Sequence, residues 1–326
     1  MERYVSALAP ALAARGTRVT VIGGAPEHMR PPLSAAGIDF VPAATMSQAM
    51  RALAAVQSAD VVNTHMTEAD VVAAVPGLAR RARLVSTRHF AARRGSRPLL
   101  RPVFAWVGSR FSAQIAISHF VADAIEGASV VVHTGVADAV ASMPGDRERT
   151  VLVAQRLERE KDTATAIRAW SRTTAAADGW RLIVAGDGAE RGDLERLAQG
   201  LGVAGTVDFV GHLADVGDAM SRAGLLLAPT PREGLGLSVL EAMARGLPVV
   251  ASASGGHLET AGGVAPERLF EPGNDIAAAA IIDALVADDE GRAEYGAALR
   301  ARQRERFSVD AQVERTVGLY EEVLAR

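Results

Sequence analysis

Residues 229–259 read PTPREGLGLSVLEAMARGLPVVASASGGHLE. Just before them, Leu225 to Ala228 form an apolar run that predicts a buried strand, stopped by Pro229 and Pro231. From Ser238 the pattern turns helical, with Val239, Leu240, Ala242 and Met243 on the inner face. Gly246 suits the helix C-terminus, with Pro248 just beyond it. A second strand is predicted over 248–251, followed by a small-residue turn over 252–256. The order is strand, glycine-bearing turn, short helix, strand. Free backbone N–H groups at the start of such a helix point back into the turn, where they stabilise an anion. Two carboxylates, Glu233 and Glu241, bracket that turn with seven residues between them, and Gly234 and Gly236 follow the first.

Working outward, the alternation continues in both directions. Upstream, strands are predicted over 151–154, 181–185 and 206–210, with helices over 163–176, 193–201 and 216–223. Downstream lie a strand over 268–270 and helices over 275–287, 291–306 and 310–325. The first half opens with an amphipathic helix over 1–15, carrying Val5, Leu8 and Leu12 on one face and stopped by Gly16. Short β-branched runs follow at 19–22, 38–41, 61–63, 84–87, 115–117 and 130–132, separated by helical windows. This pattern argues for α/β architecture with parallel, doubly wound sheets. Ligands of such sheets sit beyond the C-terminal ends of the strands. Residues 137–149, around Pro144-Gly145-Asp146, show no period and read as the interdomain connection.

Composition sets the outer limits. A chain of 326 residues is long enough for two domains at ~100–200 residues each. At 49% hydrophobic residues it builds packed cores rather than disorder. The absence of cysteine excludes disulfides, thiolate catalysis and cysteine-ligated metal, and fits a cytoplasmic protein. No segment approaches the ~20 apolar residues of a spanning helix, and the N-terminus lacks a basic-then-apolar signal pattern. The expectation is a soluble or peripheral protein. Net charge is only −3, yet no carboxylate lies between Asp70 and Asp123, where nine arginines fall. Lys161 is the only lysine, beside 34 arginines, which suggests that the chemistry at that position requires an ammonium.

The string EGLGLSVLEAMARGLPVVAS resembles the donor-binding motif of the retaining glycosyltransferases of family 4. The resemblance implies the GT-B fold, two Rossmann-like doubly wound domains facing a cleft. By that resemblance Glu233 holds hydroxyls of the donor sugar and Glu241 holds the ribose. The amides of Gly234, Leu235, Gly236 and Leu237 would meet the sugar and its diphosphate. Read without the resemblance, Ser238 and Glu241 form S-x-x-E, so Glu241 also suits the glutamate of a capping box.

Further motifs agree with the same family. Val153-Ala154-Gln155-Arg156-Leu157, then Glu160-Lys161-Asp162, is similar to its G-R-L-x-x-x-K segment, which implies that Arg156 and Lys161 grip the donor diphosphate. Ala154-Gln155 departs from the glycine-containing pair usual there. Gly186-Asp187-Gly188 resembles the family's G-D-G turn, which shapes the nucleotide site. As a dinucleotide fingerprint it fails, because the next glycine is Gly192. Ile22-Gly23-Gly24 fails too, running into Pro26 without opening a helix. Gly211-His212 corresponds to the family's loop by the base. In the first half, Thr87-Arg88-His89 is similar to a T-x-H segment whose histidine lies by donor sugar and acceptor. His89 is thereby a catalytic candidate, with Arg88 and His65 on the acceptor side. His119 opens a helix and reads as a cap neighbour.

Residues 88–111 interleave arginines with Phe90, Leu99, Leu100, Val103, Phe104 and Trp106. Such a segment suits docking on anionic lipid, a phosphorylated acceptor, or a solvated face over ordinary core residues. No nucleic-acid recognition module accompanies it. At the start, Met1-Glu2-Arg3-Tyr4-Val5 is similar to the tail of the family's GG-x-E-R turn. This implies a first strand upstream of Met1 and a slot in the sheet without it.

The resemblance implies domains over 1–140 (acceptor) and 149–308 (donor), and a helix over 309–326 returning to the first. It implies glycosyl transfer with retention, from a nucleotide sugar to a sugar or lipid-linked acceptor, in cell-surface polysaccharide or glycolipid synthesis. No cofactor and no metal are implied, since Arg156 and Lys161 are the cations and no D-x-D pair ends a strand. A nucleotide-sugar epimerase of similar fold and a non-catalytic sugar-nucleotide binder are the rival readings.

Overall fold

The computed structural model describes residues 1–95, 98–140 and 147–326. Residues 141–146 of the expected connection, with Pro144, Gly145 and Asp146, lie outside the described residues, as does Arg97. The chain divides into two compact units, Met1–Gly135 with Ser308–Arg326, and Val136–Phe307.

The first unit runs α1 (Glu2–Ala14), β1 (Thr20–Ile22), α2 (Pro26–Ala35), β2 (Asp39–Val41), α3 (Met46–Ala55) and β3 (Val61–Thr64). It continues with α4 (Thr67–Ala74), β4 (Arg83–Arg88), α5 (Arg101–Ser109), β5 (Ala113–Ala116), α6 (His119–Ala124) and β6 (Val130–Val131). β3 to β6 pair in sequence order as a parallel sheet, while β1 pairs in parallel only with β2. Among the described residues no strand joins β1 to β3, so the parallel order breaks between them. Side chains still meet there, since Ile22 and Val62 both pack on the cluster of Leu53, Val72, Ala73 and Leu84. The helix at Pro26 corrects the sequence reading, which ended the Gly23-Gly24 turn without one. Proline at the first helical position has no N–H to leave unpaired and its φ is already helical. Glu2 then anchors the entry by accepting from the Ala25 N–H at 2.7 Å.

The second unit contains β7 (Thr150–Ala154), α7 (Thr163–Trp170), β8 (Arg181–Ala185), α8 (Arg191–Gly200), β9 (Val207–Gly211) and α9 (Val216–Arg222). β10 (Leu225–Ala228), α10 (Leu237–Ala244), β11 (Val249–Ser252), β12 (Leu269–Phe270), α11 (Asp275–Val286) and α12 (Asp289–Arg306) complete it. Six parallel strands lie in the order β12-β11-β10-β7-β8-β9. Winding from β7 goes outward first through β8 and β9, then resumes on its other side with β10. The switch point therefore falls between β7 and β10, where ligands of doubly wound sheets bind. β10 and β11 are buried along their whole length, as strands covered by helices on both faces must be. Helix α7 ends at Trp170, six residues before the predicted stop. The Ser171 and Thr173 hydroxyls donate to the Arg168 and Trp170 carbonyls, competing with the helix ladder.

Helix α13 (Val309–Ala325) belongs to the first unit. Its Leu319 and Val323 pack with Val85, Ile115 and Val132 in that unit's core.

Candidate active site

At the switch point of the second unit, four loops leave the C-terminal ends of β7, β8, β10 and β11, and side chains stitch them together. Gln155, just after β7, donates from Nε2 to the Lys161 carbonyl and the Thr163 hydroxyl, each at 2.9 Å. Its Oε1 accepts from the Thr230 hydroxyl, just after β10, at 3.0 Å. One amide thus bridges the two strands that flank the switch point. The Ser252 hydroxyl donates to the Thr230 carbonyl and the Ser254 hydroxyl to that of Pro231, tying the β11 loop to the β10 loop.

Across the same opening the Lys161 ammonium lies 2.7 Å from a Glu233 carboxylate oxygen. Both side chains are only partly exposed. The 233–237 turn behind this pair fits closely on the β11 loop. Gly256 donates its N–H to the Glu233 carbonyl at 2.9 Å. A Cβ on Gly255 would strike that same carbonyl, and one on Gly256 would strike the Leu235 backbone. The two glycines are required because one main chain lies directly on another. A similar fit holds the β8 turn, where a Cβ on Gly186 or Gly188 would collide with the carbonyls of Gln155 or Leu157.

Helix α10 begins at Leu237 with Gly236 as its N-cap, and no side chain caps it. Ser238 therefore lies inside the first turn, and Glu241 is not the partner in a capping box. The amides at this N-terminus remain directed into the turn, which suits an anion. Arg156 is exposed on the β7 loop and pairs with Glu160 at 3.1 Å. Asp187 is exposed, its carboxylate accepting from the Gly188 N–H at 2.9 Å. His212 is exposed beside Gly211, whose carbonyl accepts from the Gly186 N–H at 2.8 Å. Glu241 is partly buried on α10.

His257 escaped sequence reasoning, although it stands in the quoted stretch. It is fully buried, with Nδ1 at 3.1 Å from the Ser252 carbonyl oxygen. A carbonyl only accepts, so Nδ1 carries the hydrogen. The other edge of the ring faces Gly236, where a Cβ would come within 3.2 Å of Nε2. Burial lowers its pKa, opposed by the nearby Glu233 carboxylate. The imidazole is a neutral floor beneath the turn that carries Glu233. Gln155 was read only as a departure from a family pair, and its bridging role depends on Thr230, 75 residues away.

In the first unit, His65 and His89 directly follow β3 and β4, and their facing ring nitrogens lie 3.1 Å apart. The Tyr4 ring meets His89 edge-on at 4.7 Å between centroids. Burial lowers His65 to about 4. Burial, then the neighbouring His65, lowers His89 to about 3. Both rings are neutral at pH 7. Arg88 is engaged elsewhere: it donates to Glu126 at 2.8 Å, Gln114 at 3.2 Å and the Ala92 carbonyl at 2.8 Å. Arg94 lies fully buried beside it, pairing with Asp70 at 2.5 Å and Glu126 at 2.6 Å. This network of two cations and two anions holds Ala92 and Arg94, just after β4, and Arg88 is part of it.

The fold is that of GT-B glycosyltransferases. HepE of Anabaena, in a structure with UDP-glucose, superposes with a TM-score of 0.81 over 98% of this chain and 95% of that one, at 21% identity. Residues 140–302 match the family described as Glycosyl transferases group 1, and residues 1–139 match Glycosyltransferase Family 4. The chain belongs to this glycosyltransferase family. Among curated relatives, an exopolysaccharide phosphotransferase of Streptomyces coelicolor is 30% identical over 186 residues, 55% of this chain and 19% of that protein. A 2-deoxystreptamine glucosyltransferase of Streptomyces kanamyceticus is 34% identical over 120 residues, 36% of this chain and 31% of that protein. The chain thus spans between about a fifth and a third of the length of these relatives. Among the described residues, no helix is long and apolar enough to cross a membrane.

Proposed function

We propose that this protein transfers a glycosyl group from a nucleoside-diphosphate sugar to an acceptor hydroxyl, with retention at the anomeric carbon. The observation that carries this is the Lys161–Glu233 pair at the β7/β10 switch point, beside an uncapped helix N-terminus. In the reaction the bond from the anomeric carbon to the β-phosphate oxygen breaks, and negative charge collects on that phosphate. Lys161, Arg156 and the α10 N-terminus stabilise that charge. The acceptor oxygen bonds to the anomeric carbon on the same face, and its proton passes to the departing phosphate oxygen. Glu233 accepts hydrogen bonds from donor-sugar hydroxyls, and Glu241 from the ribose. The Gly186-Asp187-Gly188 turn and Gly211-His212 line the nucleotide, and the amides of Gly234 to Leu237 meet sugar and diphosphate. His89 serves the donor sugar and acceptor, with His65 holding its ring. No metal is required, because fixed cations supply the charge.

UDP-glucose is the first donor to test, because the fold neighbour HepE was solved with it. Thermal shift against UDP-, GDP-, ADP- and dTDP-sugars should show a rise for at least one, since a ligand of the folded state stabilises it. Transfer to an acceptor library follows, with NMR of the product's anomeric proton to read the configuration. No shift with any donor, or inversion in the product, would overturn the proposal.

A further inference from the structure

We propose that α5, with Phe90, Arg93, Leu99 and Leu100 ahead of it, forms a docking surface for a bilayer rich in anionic phospholipid. Val103 and Trp106 lie three residues apart on one side of α5, with Leu99 in the turn just before the helix and Arg110 at its C-terminal end. That side faces outward. Leu99 is 92% exposed, Val103 51% and Trp106 48%, with Phe90 and Leu100 exposed beside them. Val107 and not these residues turns into the core. An exposed apolar group of this size costs solubility and is a mark of an interaction surface.

The described arginines of this stretch are sorted into two sets. Arg88 and Arg94 go inward, answered by Glu126 and Asp70. Arg93, Arg101 and Arg110 stay exposed, and among the described residues none of the three has an ion-pair partner. Between Asp70 and Asp123 the sequence supplies no carboxylate to oppose them. Charge complementarity therefore selects a negative partner, and the apolar side chains select one with a hydrocarbon layer. A second copy of the chain is disfavoured, because a two-fold contact would set the same arginines against each other. A small phosphorylated molecule leaves Leu99, Val103 and Trp106 without a role. An anionic bilayer uses both, with the tryptophan at the headgroup level and arginines on the lipid phosphates.

The experiment needs no turnover, so it is independent of the transfer reaction. Trp170 and Trp180 are buried, so Trp106 is the tryptophan whose emission responds to lipid. The protein is titrated with vesicles of phosphatidylcholine alone and of phosphatidylcholine with phosphatidylglycerol, reading Trp emission and co-sedimentation. Expected are a blue shift and sedimentation with the anionic vesicles only, weakened by salt. Leu99→Glu with Val103→Glu should abolish both while the melting temperature holds, these side chains being already in water. Changing Arg93, Arg101 and Arg110 together to Gln should weaken partition by about fivefold per charge, on the order of a hundredfold in all. Equal binding to neutral vesicles, or none to anionic ones, overturns the proposal. So does a dimer in sedimentation velocity that Val103→Glu dissolves, without vesicle binding.

Discussion

Gln155→Ala is the substitution whose outcome most directly tests the site's construction. It removes two hydrogen bonds donated by the amide, to the Lys161 carbonyl and the Thr163 hydroxyl, and one accepted from Thr230. Each such bond is worth about 1 kcal/mol net, and a buried hydroxyl left without a partner costs somewhat more. Thr230 is buried, so the expected loss is about 3 kcal/mol. In a unit of this size each kcal/mol moves the melting temperature by about 2–4 °C, giving a drop of roughly 6–12 °C. The β7 loop is then no longer tethered, and Lys161 loses its fixed place beside Glu233. Scanning calorimetry with and without saturating UDP-glucose reads both effects. The wild-type transition should rise with donor through RT ln(1 + [L]/Kd), and the variant's should rise less. A variant melting within about a degree of wild type, with an unchanged donor shift, would refute the bridging role.

Lys161→Ala and Glu233→Ala should each lower the transfer rate by at least about a hundredfold with the melt preserved. The double variant should cost little more than the worse single, because the two groups act as a pair. Initial rates decide both points. Stability should fall as pH drops from about 6.5 toward 4, because His65 and His89, depressed to about 4 and about 3, bind protons more readily in the unfolded chain. That contribution is intact above pH 6.5, and His65→Asn with His89→Asn should flatten the slope in urea melts. Asp70→Ala leaves the buried Arg94 guanidinium with Glu126 as its carboxylate partner and should cost about 2–3 kcal/mol, whereas replacing Asp70 and Arg94 together by apolar residues should recover much of it.

The sequence alone determined the succession of elements, because hydrophobic period and turn residues are local properties. β10 falls where the apolar run 225–228 was bounded by prolines, and α13 begins one residue before its predicted start. The spacing of Glu233, Gly234, Gly236 and Glu241 was equally legible, since a turn and a single helix turn fix it. Tertiary structure decided which distant groups meet. That Gln155 spans to Thr230, that His257 lies beneath Gly236, and that Arg88 answers Glu126 depend on strand order. So does the division of the arginines into a buried pair and an exposed rim. Strand order joins residues that share no period, so side-chain partnership across a sheet is written in packing and not in any stretch of the chain.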